Sequence, residues 1–376
     1  MSERRSLFHV GLGAILLLIG CGLSVAWAAQ KVEFKTENGV TVVLNPKTPV
    51  PQPGGPSKLI LKEELVIGKE SSASGPFFAD LRSMGVDDKE NIWTLDWSDI
   101  KIRVFDKNGK LISTFGKKGQ GPKELQNPQR MAVSGDGRAF ILDLNKLAVY
   151  RLDGSCLEEL STARSFPYRI TLDKAGFIYM DSMDMTPAKR TSKLIKYDMH
   201  LNPIATVAAC DEPFSLSSVN LFPTILYYHV TADSTLIWAV TSEYKFHVLT
   251  GAGKPVRTII KDCAPVKVSA EDAKNLVKEM FGDQAGQIKI DIPEVYPPIQ
   301  YFIDDDEGRI YAATYRKDDR GGQWYDVFDP KGQCFTQFSL PKGEMAFVVK
   351  KNKLYVIIRE NEEGIPLIKR YGMEWK

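Results

Sequence analysis

A pattern of short apolar strands joined by tight turns recurs six times along this sequence, and it constrains the fold more than any other feature. Its clearest copy, residues 86–115, contains an acidic turn, a strand carrying Trp93, an alternating apolar strand and a turn at Asn108-Gly109. Glycine and asparagine at such turns supply the positive φ angles that tight hairpins need. Each copy is therefore predicted to be an antiparallel meander of strands.

One aromatic residue marks the same position in each copy: Trp93, Phe140, Tyr179, Trp238, Tyr311 and Tyr355. Most intervals between them are close to the ~40–50 residues of a four-stranded blade, and two are longer. A meander sheet has two apolar faces, and it buries both only when neighbouring sheets pack around a closed ring. The sequence thus predicts an all-β protein, a six-bladed β-propeller over residues 59–373.

The last copy holds about three strands, and the ring needs a fourth strand to close it. The apolar segment 59–67 is predicted to supply that strand, with residues 29–58 forming a preceding strand and a Pro-rich linker. Insertions are predicted near 208–226 and 263–298. The second should contain a short helix, because Ser269 and Asp272 resemble a capping box and the following apolar residues have helical spacing.

The N-terminus has the pattern of an export signal. Arg4 and Arg5 precede an apolar run, and Ala26-Trp27-Ala28 offers a cleavage site, so residues 1–28 are predicted to be a signal peptide. The mature protein would lie in the periplasm or be attached to the envelope. Residues 18–21 also resemble a lipobox, and a lipoprotein acylated at Cys21 is an alternative, as is an uncleaved anchor. Membrane attachment is expected only through this segment.

Charge and cysteine content restrict the partners. The formal net charge is +2, which disfavours nucleic-acid binding, and we expect a monomer. Beyond the signal, the cysteines are Cys156, Cys210, Cys263 and Cys334. The repeat register places Cys156 and Cys334 in blades across the ring, too far apart for a bond. Buried free thiols are favoured, with a Cys210–Cys263 disulfide as the alternative.

The segment from Ile102-Arg103-Val104-Phe105-Asp106 to residues 115–125 (FGKKGQGPKEL), followed by Pro128, resembles the signature of NHL-repeat propellers. The resemblance implies a bacterial six-bladed propeller. Members of that family serve as ligand-binding modules, as protein-interaction platforms and occasionally as lyases or lactonases. A shared fold does not choose among these activities.

Acidic residues recur at one turn of the repeat. Asp87, Asp173 and Asp305 each fall six residues before a blade aromatic. Such residues hydrogen-bond the backbone amides of a turn, and that role is predicted for all three, with calcium binding by residues 304–307 as the alternative. No zinc-ligand pair or serine-nucleophile motif occurs.

The positions ten and eleven residues before each aromatic begin the innermost strands, which converge on one mouth of the central channel. They are Arg82, Ser83, Gln129, Arg130, Tyr168, Arg169, Tyr227, Tyr228, Gln300, Tyr301, Glu344 and Met345. Arginine binds carboxylate and phosphate, and tyrosine offers stacking area with a polar tip. The candidate ligand-binding residues are Arg82, Gln129, Arg130, Tyr168, Arg169, Tyr228 and Tyr301. The alternative is a mouth that is merely polar and hydrated.

The leading hypothesis is an exported, non-catalytic scaffold that binds a small anionic or carbohydrate ligand, or a partner protein, at this mouth. No cofactor is predicted. One alternative is a metal-dependent enzyme of the lactonase or lyase type, for which only Glu344 and His229 lie near the mouth. Another is a structural subunit of an envelope complex.

Overall fold

A computed structural model describes residues 31–69, 71–72, 75–163, 167–215, 217–231 and 233–376. The predicted signal peptide and Cys21 lie outside these residues. Most of the strands form six large sheets, whose innermost strands surround a central channel. The chain is a six-bladed β-propeller, as the repeat predicts. Within the described ranges, no helix is long and apolar enough to cross a membrane.

Each blade contains four antiparallel strands, which follow one another from the innermost strand outward. Blade 1 is Leu81–Val86, Ile92–Asp96, Lys101–Phe105 and Leu111–Phe115; blade 2 is Arg130–Val133, Arg138–Asp143, Lys146–Arg151 and Cys156–Ser161; blade 3 is Ile170–Leu172, Ile178–Met185, Lys189–Tyr197 and Pro203–Pro213. Blade 4 is Leu226–Val230, Leu236–Val240, Lys245–Leu249 and Pro255–Lys261; blade 5 is Tyr301–Asp304, Ile310–Lys317, Gln323–Phe328 and Cys334–Leu340; blade 6 is Glu344–Lys350, Lys353–Ile358, Leu367–Trp375 and Leu59–Ile67.

The ring closes through the early strand, as predicted. Leu59–Ile67 pairs antiparallel with Leu367–Trp375 and is the outermost strand of blade 6. An apolar cluster then joins this last blade to the first, and it contains Ile67 and Tyr355 of blade 6 and Leu81 of blade 1. Comparable clusters lie between each remaining pair of neighbouring blades among the described residues. Burial between blades therefore holds the ring together.

The six aromatics all lie on the second strand of their blades, and all but Trp238 are buried. The acidic turn residues bind turn backbone amides, as the repeat predicts, and they also bind polar atoms of the aromatics, which the sequence did not predict. Asp305 Oδ1 accepts the backbone N–H of Arg309 at 2.8 Å, and its Oδ2 accepts the Tyr311 hydroxyl at 2.8 Å. Asp173 binds Phe177 N–H and the Tyr179 hydroxyl in the same way. One carboxylate thus closes the turn and satisfies the polar tip of a buried ring.

Residues before the ring form a strap that the sequence does not place. Glu33–Glu37 and Val40–Asn45 form a hairpin, and Val40–Asn45 pairs in parallel with the outermost strand of blade 4. The chain then crosses the outer edge of blade 5, where Val50 N–H donates to Cys334 O at 2.8 Å. It continues into blade 6 at Leu59. The strap, residues 33–58, therefore contacts three consecutive blades.

The two insertions precede the innermost strands of blades 4 and 5. The loop of the first begins only after Pro213, because Pro203–Pro213 continues as strand. The second contains the predicted helix, Ala270–Phe281, with Ser269 as N-cap accepting the Asp272 N–H, and a 3-10 helix Gly282–Gln287. The insertions meet where Val219–Asn220 pairs in parallel with Ile290–Asp291. A further short pairing joins Ser71–Ser72 to Gly75–Pro76.

The four cysteines of the described residues are free thiols, so the Cys210–Cys263 disulfide left open by the sequence is not formed. Only Cys334 is fully buried, whereas Cys156, Cys210 and Cys263 are half-buried. Burial raises the pKa of all four thiols above its usual value. They contribute to packing as small apolar side chains.

Candidate functional site

The central channel encloses about 980 Å³ and is lined by the innermost strands of all six blades. At one mouth of the channel the innermost strands begin. The second strand of each blade runs antiparallel to the innermost strand and therefore ends at the same mouth. Arg82, Arg130, Arg169, Tyr227, Tyr301 and Met345 line this end of the wall, together with Arg359, which follows the second strand of blade 6. Most of the positions predicted from the strand register therefore lie together at this mouth.

Three arginines give this mouth its charge. Arg130, Arg169 and Arg359 come from blades 2, 3 and 6, and none of them forms an ion pair with any carboxylate of the residues that the structure describes. Burial lowers the pKa of the Arg130 guanidinium, and the charges of Arg169 and Arg359 act in the same direction. Like charges that are gathered at one opening in this way attract an anion. We call these three residues the arginine mouth.

Tyrosine rings hold two of these guanidinium groups in place. The Arg130 guanidinium carbon lies 4.8 Å from the centre of the Tyr168 ring, and that of Arg169 lies 5.4 Å from the same ring. Arg169 also stacks on Tyr227 at 3.9 Å. Cation–π contacts at these distances orient an arginine without neutralising it. The guanidinium groups stay charged and remain available to a ligand.

A half-buried carboxylate fixes the backbone beneath them. Asp181 Oδ1 accepts the backbone N–H groups of Tyr168 at 2.8 Å and of Arg169 at 2.6 Å. The Tyr228 hydroxyl donates to Arg169 O at 2.7 Å. Burial raises the pKa of Asp181, although these hydrogen bonds and the Arg169 charge oppose the shift. Asp181 and Tyr228 thus position the start of the innermost strand of blade 3, and the Tyr228 hydroxyl is already engaged.

The other predicted ligand-binding residues also have partners within the protein. Arg82 binds Asp80 through both Nε and Nη2, at 2.8 and 2.7 Å, and stacks on Trp97 at 4.8 Å. The Gln129 amide donates to Asn127 Oδ1 at 2.7 Å. The Tyr301 hydroxyl lies 2.7 Å from the Tyr325 hydroxyl, and burial raises the pKa of Tyr301.

Glu344 and His229, the two residues near the mouth that a metal-dependent enzyme would use, also have partners within the protein. Glu344 is buried, accepting the Tyr371 hydroxyl and the Lys369 ammonium, each at 2.8 Å. His229 lines the channel, where its Nδ1 lies 3.2 Å from Asp304 Oδ1. Among the described residues, no three His, Cys, Asp or Glu side chains are grouped so that they could hold a metal ion.

Sequence reasoning missed Arg359 and Asp181. Counting back from each aromatic finds the start of the innermost strand but not the end of the second strand, which reaches the same mouth. Counting four residues forward from the aromatic would have found Trp97, Tyr315 and Arg359. Asp181 gives no such signal, because its hydrogen bonds depend on how two neighbouring strands are placed.

The sequence and the structure are similar to known propellers. Residues 84–239, less than half of the chain, match the model of a family described as a six-bladed β-propeller, DUF5128. No curated protein matches the chain significantly. A member of the DUF4221 family from Bacteroides vulgatus is 11% identical, with 85% of this chain and 99% of that one covered at a TM-score of 0.57.

A protein of Bacteroides fragilis described as exported is 12% identical, with 89% of this chain and 99% of that one covered at a TM-score of 0.55. A streptogramin B lyase is similar at 13% identity over 84% of this chain and 98% of its own, but its TM-score of 0.46 is too low to support an inference. At these identities the similarity shows the propeller fold alone.

Proposed function

We propose that this chain is an exported, non-catalytic propeller scaffold that binds a small anionic ligand at the arginine mouth. The observation that carries the proposal is the gathering of Arg130, Arg169 and Arg359 around one opening without a carboxylate partner among the described residues. Three neighbouring guanidinium groups repel one another, and that repulsion is relieved when an anion binds between them. Arginine also binds carboxylate and phosphate with two parallel hydrogen bonds.

An anion fits this mouth better than a neutral carbohydrate. A sugar would need an open aromatic face on which to stack. The rings of Tyr168 and Tyr227 instead each have a guanidinium group stacked on one face, from Arg130 and Arg169, although Tyr168 remains 47% exposed. These tyrosines therefore serve to orient the arginines, and the charge provides the recognition. The paired states of Glu344 and His229 give the enzyme alternative no comparable support.

Export and family remain part of the proposal. The n-region, apolar run and small residues of the first 28 positions support secretion to the periplasm or envelope, with acylation of Cys21 as the competing outcome. Residues 102–125 support a relation to NHL-repeat propellers, whose members include ligand-binding modules.

Isothermal titration of the purified protein with citrate and with inorganic phosphate, at low ionic strength, tests the proposal. Removing one charged hydrogen-bonding partner costs about 1.5–3 kcal/mol, so Arg130→Ala, Arg169→Ala and Arg359→Ala should each weaken binding roughly 10- to 100-fold. Arg82→Ala is the matched control, because Arg82 lies at the same mouth but is paired with Asp80. It should change the affinity less than about threefold.

Added salt should weaken binding in the wild type, because screening reduces the attraction between the mouth and the anion. If neither anion binds, or if all four arginine variants behave like the wild type, the proposed function is wrong. Glucose at the same concentrations serves as the neutral comparison, and equal affinity for glucose and citrate would also contradict the proposal.

A further inference from the structure

The two insertions build a wall beside the arginine mouth. Each leads into an innermost strand, so both cross the face of the ring on which that mouth opens. They are joined by the parallel pairing of Val219–Asn220 with Ile290–Asp291. The segment that carries Tyr296, in the second insertion, pairs with the residues just before the helix, because Tyr296 N–H donates to Val266 O and Val268 N–H donates to Glu294 O, each at 2.9 Å. These backbone hydrogen bonds hold the two parts of the insertion together.

Three rings from different parts of the chain meet in this wall. Tyr296 stacks on Tyr315, which lies near the C-terminal end of the second strand of blade 5. The two ring centres are 4.3 Å apart and the ring planes are inclined by 16°. Phe222, from the first insertion, packs edge-on to both, at 5.0 Å from Tyr296 and 5.9 Å from Tyr315. We call these three rings the aromatic wall. None of them is fully buried, so each keeps part of its surface accessible.

The aromatic wall is continuous with the arginine mouth. Tyr315 lies two residues after Ala313, which pairs with Tyr301 on the innermost strand of blade 5, and the Tyr301 ring lies 6.4 Å from the Tyr227 ring. Tyr227 is in turn the ring on which Arg169 stacks at 3.9 Å. The segment that carries Tyr296 also exposes apolar surface, since the side chains of Ile292 and Val295 are 47% and 41% exposed. Charge and apolar surface thus lie next to each other on one face of the ring.

We infer that the ligand of the arginine mouth is an aromatic acid, whose anionic group binds the arginines while its ring lies on the aromatic wall. This inference rests on the proposed function and narrows the class of anion. A small anion alone would leave the accessible surface of Phe222, Tyr296 and Ile292 in contact with water. A ring attached to the anion removes that surface from water, which is favourable in proportion to the apolar area buried. Offset or edge contacts between rings add to it.

A series of carboxylates with equal charge tests the ring separately from the anion. Acetate, phenylacetate and 2-naphthylacetate share one carboxylate and differ in aromatic area. Affinity measured by titration should rise roughly 10- to 100-fold from acetate to 2-naphthylacetate, as expected for the added apolar area. The neutral 2-naphthylacetamide should bind at least tenfold more weakly than the acid, because it lacks the charge that the arginines recognise.

Phe222→Ala should flatten this dependence on ring size while leaving the affinity for acetate within about twofold of the wild type. Phe34→Ala is the matched control, because Phe34 is a 52% exposed aromatic on the strap hairpin, remote in sequence and contacts from the wall. It should leave the whole series unchanged. Tyr315→Leu keeps most of the side-chain volume and provides a second test should Phe222→Ala unfold, as judged by circular dichroism.

The outcomes separate the two proposals. If the arginine variants lose acetate and citrate binding but affinity does not rise with ring size, the aromatic-acid inference is overturned and the anion-binding function stands. If 2-naphthylacetamide binds as well as the acid and the arginine variants bind both normally, the anion-binding function is overturned. A rise with ring size that survives in Phe222→Ala and in Tyr315→Leu also overturns the inference.

Discussion

Asn45 of the strap offers the sharpest test of how the propeller is held together from outside. Its side-chain amide donates to Gly332 O at 2.9 Å and Ile260 O at 3.3 Å, and its Oδ1 accepts the Cys334 N–H at 2.7 Å. One side chain, 4% exposed, therefore connects the outermost strands of blades 4 and 5. These contacts join residues that are almost the whole ring apart in sequence.

Asn45→Ala removes all three hydrogen bonds and leaves a buried N–H without its partner. At about 1 kcal/mol for each net hydrogen bond, and more for a buried group left unpaired, the free energy of unfolding should fall by about 2–4 kcal/mol. Urea denaturation followed by tryptophan fluorescence and by circular dichroism measures the change, provided that both signals give one coincident transition with an unchanged slope.

Asn145→Ala is the control, because Asn145 lies exposed in the hairpin turn between Arg138–Asp143 and Lys146–Arg151. Its replacement should change the free energy of unfolding by less than about 0.5 kcal/mol. If Asn45→Ala were no more destabilising than this control, the strap would lie on the ring without stabilising it, and the reasoning from its hydrogen bonds would be refuted.

Two further perturbations test the packing between blades and the support beneath the arginine mouth. A Cβ on Gly85 would lie 2.8 Å from the Val133 Cβ of the neighbouring blade, so Gly85→Ala should lower the free energy of unfolding by about 1–3 kcal/mol. Gly286→Ala is the control and should not lower it, because a Cβ on Gly286 would have no atom within 4 Å. Equal urea midpoints for both variants would contradict this prediction. Burial raises the pKa of Asp181 in the folded protein above its value in the unfolded chain. The stability that the protonated Asp181 carboxyl contributes is therefore fully present below the unfolded-state pKa, and it is lost as the pH rises through the folded-state pKa. The free energy of unfolding of the wild type, measured by urea denaturation, should therefore exceed that of Asp181→Asn by more at about pH 3 than at about pH 7. A difference that grows with pH would show instead that the fold stabilises the charged carboxylate.

The repeat pattern was sufficient for most of the fold. Each blade is a local meander, so alternation, turn residues and the recurring aromatic indicate its strands without knowledge of the rest of the chain. The hydrogen bond from the Tyr311 hydroxyl to Asp305 spans only six residues, and the Ser269 cap spans three. Features encoded over such short distances follow from patterns that a single sequence displays. The closing strand Leu59–Ile67 pairs with Leu367–Trp375 at the other end of the ring, and it was predicted because the last repeat lacks a fourth strand.

Only part of the candidate site could be predicted from the sequence in the same way. Counting from the aromatics places Arg130 and Arg169 at one mouth, because the register of a strand is set by its own turn. It does not show that Arg82 is neutralised by Asp80 or that Glu344 is taken by Lys369. The partner of each of these side chains depends on the rotamers and neighbours that a sequence position leaves open.

What the sequence determined by itself is therefore the number of blades, the order of strands within each blade and the end of the ring on which the candidate residues lie. Only the tertiary structure decided which charges at that end are left unpaired, how the strap crosses blades 4, 5 and 6, and how the two insertions bring Phe222 and Tyr296 together. The physical reason is range: strands and turns are specified by neighbours along the chain, whereas charge pairing and ring contacts between distant segments arise only when the closed ring fixes their distances.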